Sequence, residues 1–174
     1  MKRQGFTLIE TLIGVGMFIL VGLGCTYVIA GNIRSFETTT NQINSDQSAS
    51  TALGIMSRDL QEAKQFTINS PTSLTVYYPV KNPDGTYDRN LVDSANPVTF
   101  YRGNPDMSAN DNGTCLIKDP TVGPSRAISK CVSSLNFQSI SASSVDVTLV
   151  TSNTLYSLPR SCQLIHRAIF LRNY

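Results

Sequence analysis

At 174 residues the chain is long enough for one ordinary domain and an appendage. Apolar residues make up 41% and charged ones 15%, which supplies a core and argues against wholesale disorder. A formal charge of +2 is too small to mark an electrostatic nucleic-acid binder, and one histidine with no tryptophan leaves little material for a catalytic or zinc site.

The apolar residues are concentrated at the start. Thr11 to Ile33 are 23 consecutive uncharged residues, preceded by Lys2, Arg3 and Glu10 and followed by Arg34. As a helix they reach about 34 Å, enough to cross a hydrocarbon core of about 30 Å. The cationic start places the N-terminus in the cytoplasm and the rest outside. All eight prolines lie at Pro71 or beyond, so the first seventy residues can form one helix.

Four fates compete for this N-terminus. Val28-Ile29-Ala30 offers a secretory cleavage site, but the apolar stretch is too long and is headed by an acid. Cys25 has Gly22 three residues before it, where a lipoprotein needs an apolar residue. A plain anchor accounts for the length and not for Glu10. The fourth fate is cleavage before the apolar run, between Gly5 and Phe6.

The segment Gly5-Phe6-Thr7-Leu8-Ile9-Glu10-Thr11-Leu12 behind the leader Met1-Lys2-Arg3-Gln4-Gly5 resembles the prepilin signature of type IV pilins and type II secretion pseudopilins. The resemblance implies a membrane-embedded prepilin peptidase that cuts after Gly5 and N-methylates Phe6. It also implies that Glu10, at the fifth mature position, meets the terminal amine of a neighbouring subunit during assembly. A carboxylate in an apolar assembly needs such a partner, and cleavage creates a cationic amine close by. Gly14, Gly16, Gly22, Gly24 and Gly31 weaken the helix and permit close helix–helix approach or local unwinding, or they are simply the glycines common in membrane helices.

Beyond the span, Ile33, Phe36, Thr40 and Ile43, then Leu53, Met56, Leu60 and Ala63, step at helical spacing. This predicts an amphipathic continuation over 32–66 lying on its own sheet, with a coiled-coil dimer as the alternative. The pairs Asp59–Glu62 and Arg58–Lys64 read as a solvated face. From Phe66 the pattern has period two, with Leu74, Val76, Tyr78 and Val80 on one strand face and Val98 and Phe100 starting another. Asn82-Pro83-Asp84-Gly85 is a turn, and the polar run from there to Pro97 reads as a loop. Cys115–Lys118, Val132–Ile140, Val145–Val150 and Cys162–Leu171 are further strands, with Pro159 and Arg160 interrupting the approach to the last. The expected fold class is α+β: a leader at 1–5, a transmembrane helix at 6–31, an amphipathic helix at 32–66, and a β-rich domain at 67–174 on which the helix packs as an antiparallel-sheet pilin fold.

Met56-Ser57-Arg58-Asp59-Leu60-Gln61-Glu62-Ala63 and the terminal Ile169-Phe170-Leu171-Arg172-Asn173 resemble minor pseudopilins of the J type and W-type minor pilins. The resemblance implies a structural subunit that starts or caps a type IV pilus or secretion pseudopilus. Its partners would be other minor and major pilins, the prepilin peptidase, the inner-membrane assembly platform and the lipid bilayer. It would sit in the inner membrane with a single pass. The alternative is a tip subunit that binds DNA or a surface, with Arg160, Arg167, Arg172 and His166 as a basic edge; near-neutral charge argues against DNA.

Cys25 lies in the membrane helix, while Cys115, Cys131 and Cys162 lie in an oxidising compartment. Three thiols allow three single pairings. Cys115 with Cys131, closing a loop that contains Pro120, Gly123 and Pro124, is the favoured disulfide, and Cys162 is the alternative partner. The loop Asp106-Met107-Ser108-Ala109-Asn110-Asp111-Asn112-Gly113 lacks the spacing and bidentate Glu of a calcium loop and reads as a solvated turn. No Ser/His/Asp, Cys/His or phosphate-loop arrangement is visible, so neither catalysis, cofactor nor metal is expected.

Overall fold

The computed structural model describes residues 7–155 and 158–171, with the backbone alone at 89, 153–155, 158–168 and 170. Among the described residues one helix, α1 (Leu8–Glu62), is followed by ten strands, an α+β order. The chain divides into two compact units between Asn41 and Gln42, and each is best described by itself.

The first unit is the leading part of α1. Its most apolar 18 residues have a mean hydropathy of 2.3, and none of that window is buried. A helix so apolar and so uncovered is long enough to cross a membrane.

In the second unit the end of α1 lies on antiparallel sheets. Ala49, Ala52, Leu53, Met56, Leu60 and Ala63 are all within 1% of full burial. Their spacing of three and four puts them on one face. The strands are β1 (Gln65–Ser70), β2 (Ser73–Tyr77), β3 (Pro79–Lys81), β4 (Tyr87–Val92), β5 (Val98–Gly103), β6 (Cys115–Pro120), β7 (Arg126–Lys130), β8 (Val132–Ser141), β9 (Ser144–Leu155) and β10 (Leu158–Phe170). They form a five-stranded sheet ordered β1-β2-β5-β6-β7, a three-stranded sheet ordered β10-β9-β8, and a two-stranded ribbon β3-β4. All pairings are antiparallel. Leu74, Val76, Phe100 and Leu116 of the first sheet share one core with α1 and with Leu135, Phe137, Val147 and Leu149 of the second. Burial extends to the β2 residue on the opposite face: Thr75 accepts from Asn69 Nδ2 at 2.7 Å and meets Thr99 Oγ1 at 3.1 Å.

Several expectations need correction. The helical stripe splits in two. Leu53, Met56, Leu60 and Ala63 are buried, whereas Ile33, Phe36 and Ile43 are more than half exposed, because the first buried helical residue is Ser45. The helix stops at Glu62, short of 66: Lys64 N–H donates to Tyr77 C=O at 2.9 Å, so the backbone is already pairing with β2. Strand β2 ends at Tyr77, where the chain leaves the five-stranded sheet; Tyr78 still packs on the core with Leu74 and Val76, whereas Val80 belongs to β3 and does not continue that face. The run expected as a loop contains β4. Asn82 N–H bonds Thr86 C=O at 2.8 Å, Gly85 takes φ +87°, and the turn therefore closes a hairpin whose second arm is polar only because little packs on it. β10 starts at Leu158 and runs through Pro159, with a bulge between Arg160 and Cys162. Its edge position explains the tolerance, since an edge residue need not donate to a ladder. β7 has no counterpart in the periodicity, because its burial does not alternate.

Candidate functional site: an uncovered apolar helix and its acidic head

Glu10 stands in the first turn of α1, where the exposed N–H groups and the positive end of the helix dipole favour an acid. Thr7 and Glu10 bond reciprocally. Thr7 N–H and Thr7 Oγ1 both donate to Glu10 Oε2 at 3.0 Å, and Glu10 N–H approaches Thr7 Oγ1 at 3.4 Å. This is a capping box, and its T-x-x-E pattern is legible in the sequence, where Glu10 was read only as an assembly residue. Capping engages one oxygen of a carboxylate that can accept about four bonds. Gly5 and Phe6, the expected cleavage and methylation residues, lie outside the described residues.

Past the cap, α1 presents large apolar side chains all round, with Leu8, Phe18 and Tyr27 each more than 80% exposed. The Thr11 and Thr26 hydroxyls are satisfied within the helix. Thr11 Oγ1 donates to Leu8 C=O at 2.8 Å and Thr26 Oγ1 to Gly22 C=O at 2.9 Å, so neither presents an unmade donor to an apolar environment. Gly14, Gly16, Gly22, Gly24 and Gly31 face open space, and a shallow apolar groove at Gly16 is bounded by Leu8, Leu12, Val15 and Ile19. Such notches accept the ridge of another helix. Cys25 is an exposed thiol on the same helix.

In the second unit the structure brings together residues that sequence reasoning left apart. Asp59 is 4% exposed, which overturns its reading as part of a solvated face. It is paired with Lys118 Nζ of β6, and that ammonium also lies 5.9 Å from the centre of the Phe100 ring. Asp59 sits near the C-terminal end of α1, whose last turn carries no basic residue to offset the negative end of the dipole. Lys118 therefore supplies from the sheet a charge that the last turn of the helix lacks. The pair joins positions 59 residues apart, so periodicity along the chain carries no signal of it. Beside it, burial first, then the charges of Asp59 and Glu62, push the Tyr78 hydroxyl well above the ordinary tyrosine range, with Arg58 opposing.

Cys115 is buried, Cys131 is exposed, and both are free thiols, so the expected link between them is not made in this structure. Cys115 stands opposite Lys130 in the β6–β7 ladder, while Cys131 takes φ +59° as the chain turns from β7 into β8. The left-handed turn separates a core-facing thiol from a solvent-facing one. The side chains of Cys162, His166, Arg160 and Arg167, and all of Arg172, lie outside the described residues.

The loop after β5 turns its oxygens onto itself. Asp106 Oδ1 accepts from Ser108 Oγ at 2.6 Å and from Ser108 N–H at 3.0 Å, which together, the hydroxyl first, hold its carboxyl below the usual range. Asn110 Oδ1 caps Asn112 N–H at 2.9 Å, and Asp111 accepts from Thr72 Oγ1. Arg102 then anchors the loop by donating from Nε to Gly113 C=O at 2.6 Å. Among the described residues, no three His, Cys, Asp or Glu side chains are grouped to hold a metal ion.

Comparison with protein-family models, with curated proteins and with solved structures finds no match for this chain.

Proposed function

We propose that the chain is a minor pilin or pseudopilin, a structural subunit that initiates or caps a type IV pilus or a type II secretion pseudopilus and performs no catalysis of its own. One observation carries the reading. The first unit is a helix with a mean hydropathy of 2.3 over 18 residues and no cover, capped at its start by the acid of the prepilin-like segment. Burial of apolar surface stabilises by about 25 cal/mol per Å², so a helix exposing this much must enter lipid or a bundle of similar helices. A route through both is filament assembly. After cleavage at Gly5 the helix rests in the inner membrane, N-terminus towards the cytoplasm, and then leaves the bilayer to pack among neighbouring helices. Glu10 guides docking by pairing with the amine of an adjacent subunit, while the sheet unit remains outside.

Intact-mass measurement of membrane-extracted protein tests this directly. The expected mature chain begins at Phe6 with an added methyl group, has 169 residues, and has lost Lys2 and Arg3, taking the formal charge from +2 to zero. A chain beginning at Gly31, or a lipid on Cys25, refutes the proposal.

A further inference from the structure

The five-stranded sheet ends on β7, which pairs with β6 on one side and with no strand on the other. The chain does not close that side itself. After Lys130 the left-handed Cys131 turns it away, and β8 goes on to pair with β9 in the other sheet. Among the described residues, no backbone–backbone hydrogen bond reaches 126–130 from outside the β6 ladder. An open edge of this kind carries a row of donors and acceptors that another extended backbone matches along its length.

The edge borders a groove between β7 and the sheet-packed end of α1. Ile128, Ser129 and Lys130 line it from the strand, and Ser45 and Ser48 from the helix. Ser48 Oγ and Ser129 Oγ lie 3.1 Å apart and satisfy each other. Ser45 differs: it is 7% exposed, and its hydroxyl has no hydrogen-bond partner among the described residues. A hydroxyl so little exposed to water is costly to leave unpaired, so a polar occupant of the groove gains a bond there.

Charge selects the occupant. Arg126 and Lys130 stand exposed at the two ends of β7, and neither is ion-paired among the described residues. A second copy fits poorly. Two β7 strands pairing antiparallel about Ile128 set Arg126 opposite Lys130 at both ends, and like charges across a pair are destabilising. The register shift against β6, which leaves Ile128 as an extra residue, further blunts the edge against copies of itself. An acidic strand meets the same two cations with opposite sign.

We propose that β7 and its groove are a docking site for an extended acidic segment of a partner protein, which adds to the sheet as a further strand and sets its acids against Arg126 and Lys130. This site belongs to the sheet unit alone and does not depend on the filament reading.

Backbone amide exchange of the full-length protein in detergent tests it, with the blocked peptide acetyl-Glu-Val-Ser-Val-Glu-amide added at millimolar concentration. Exchange at 126–130 should slow about tenfold or more, with β5 at 98–103 unchanged. The double variant Arg126→Glu with Lys130→Glu changes exposed side chains only and so keeps the fold; it should lose this protection and gain it from the peptide with Lys in place of Glu. The Glu peptide N-methylated at its central Val-Ser-Val keeps its charge and lacks the backbone donors, and should protect about tenfold less. Absence of protection by the first peptide, equal protection by the N-methylated one, or indifference to the charge reversal overturns the proposal. So does slowing at 126–130 with protein concentration alone, which would make a second copy the occupant.

Discussion

Replacing Lys118 with Met isolates the charge that the sheet supplies to the helix. Methionine preserves most of the length and packing of the lysine stem, so the perturbation removes the ammonium. Asp59, 4% exposed and near the dipole-negative end of α1, is then left as a buried carboxylate without its partner. Breaking a buried pair from one side costs about 3–5 kcal/mol. The reverse change, Asp59→Asn, should cost less, about 1–2 kcal/mol, because Lys118 is 13% exposed and can move its charge toward water while keeping its contact with Phe100. The double replacement Asp59→Leu with Lys118→Met leaves no buried charge and should recover to within about 1 kcal/mol of the natural protein. Urea unfolding of the full-length chain in detergent, followed by circular dichroism in the β region and by the near-ultraviolet tyrosine signal, measures each. A Lys118→Met variant within about 1 kcal/mol of the natural protein would refute the argument, and so would single and double variants that add without a coupling energy.

Three further outcomes follow from the same geometry. The folded state holds the Tyr78 proton more tightly than the unfolded chain, so the stability due to this group is full below the unfolded value near pH 10 and is lost as pH rises above it; Tyr78→Phe should flatten that alkaline loss, and an unaltered slope in unfolding at several pH values above 10 would count against it. Glu10→Val should abolish incorporation into filaments with insertion and cleavage retained, whereas Thr7→Ala removes the capping partner at a cost of about 1 kcal/mol and should still assemble; equal assembly defects, scored by filament immunoblotting, would make capping the whole role of Glu10. In the folded protein Cys131 should react promptly with a maleimide and Cys115 only after unfolding, as their exposures dictate; labelling of both only after reduction would restore the disulfide that the sequence favoured.

How much was legible follows from the range of each interaction. The apolar span, the amphipathic end of α1, and the faces of β2, β5, β8 and β9 come from spacing, because a helix or strand buries residues at a period set by its own geometry. The Asn82–Gly85 turn and the T-x-x-E cap are equally local, since each is set by residues within four positions of one another. Local pattern could not reveal where the amphipathic helix finds its partner. Ile33 and Phe36 carry the same spacing as Leu53 and Met56, yet the second pair is buried and the first exposed. It could not distinguish Asp59 from Glu62 either, because Asp59 is a core residue solely through Lys118, brought to it by the folding of β6 against α1. The sequence by itself determined the long apolar helix, its amphipathic end and the strands whose burial alternates, though not β4 or β7, since those patterns depend on neighbours along the chain. The tertiary structure alone decided which face is covered, which acid is buried and which thiol is exposed, since those depend on groups that meet only when the sheets close over the helix.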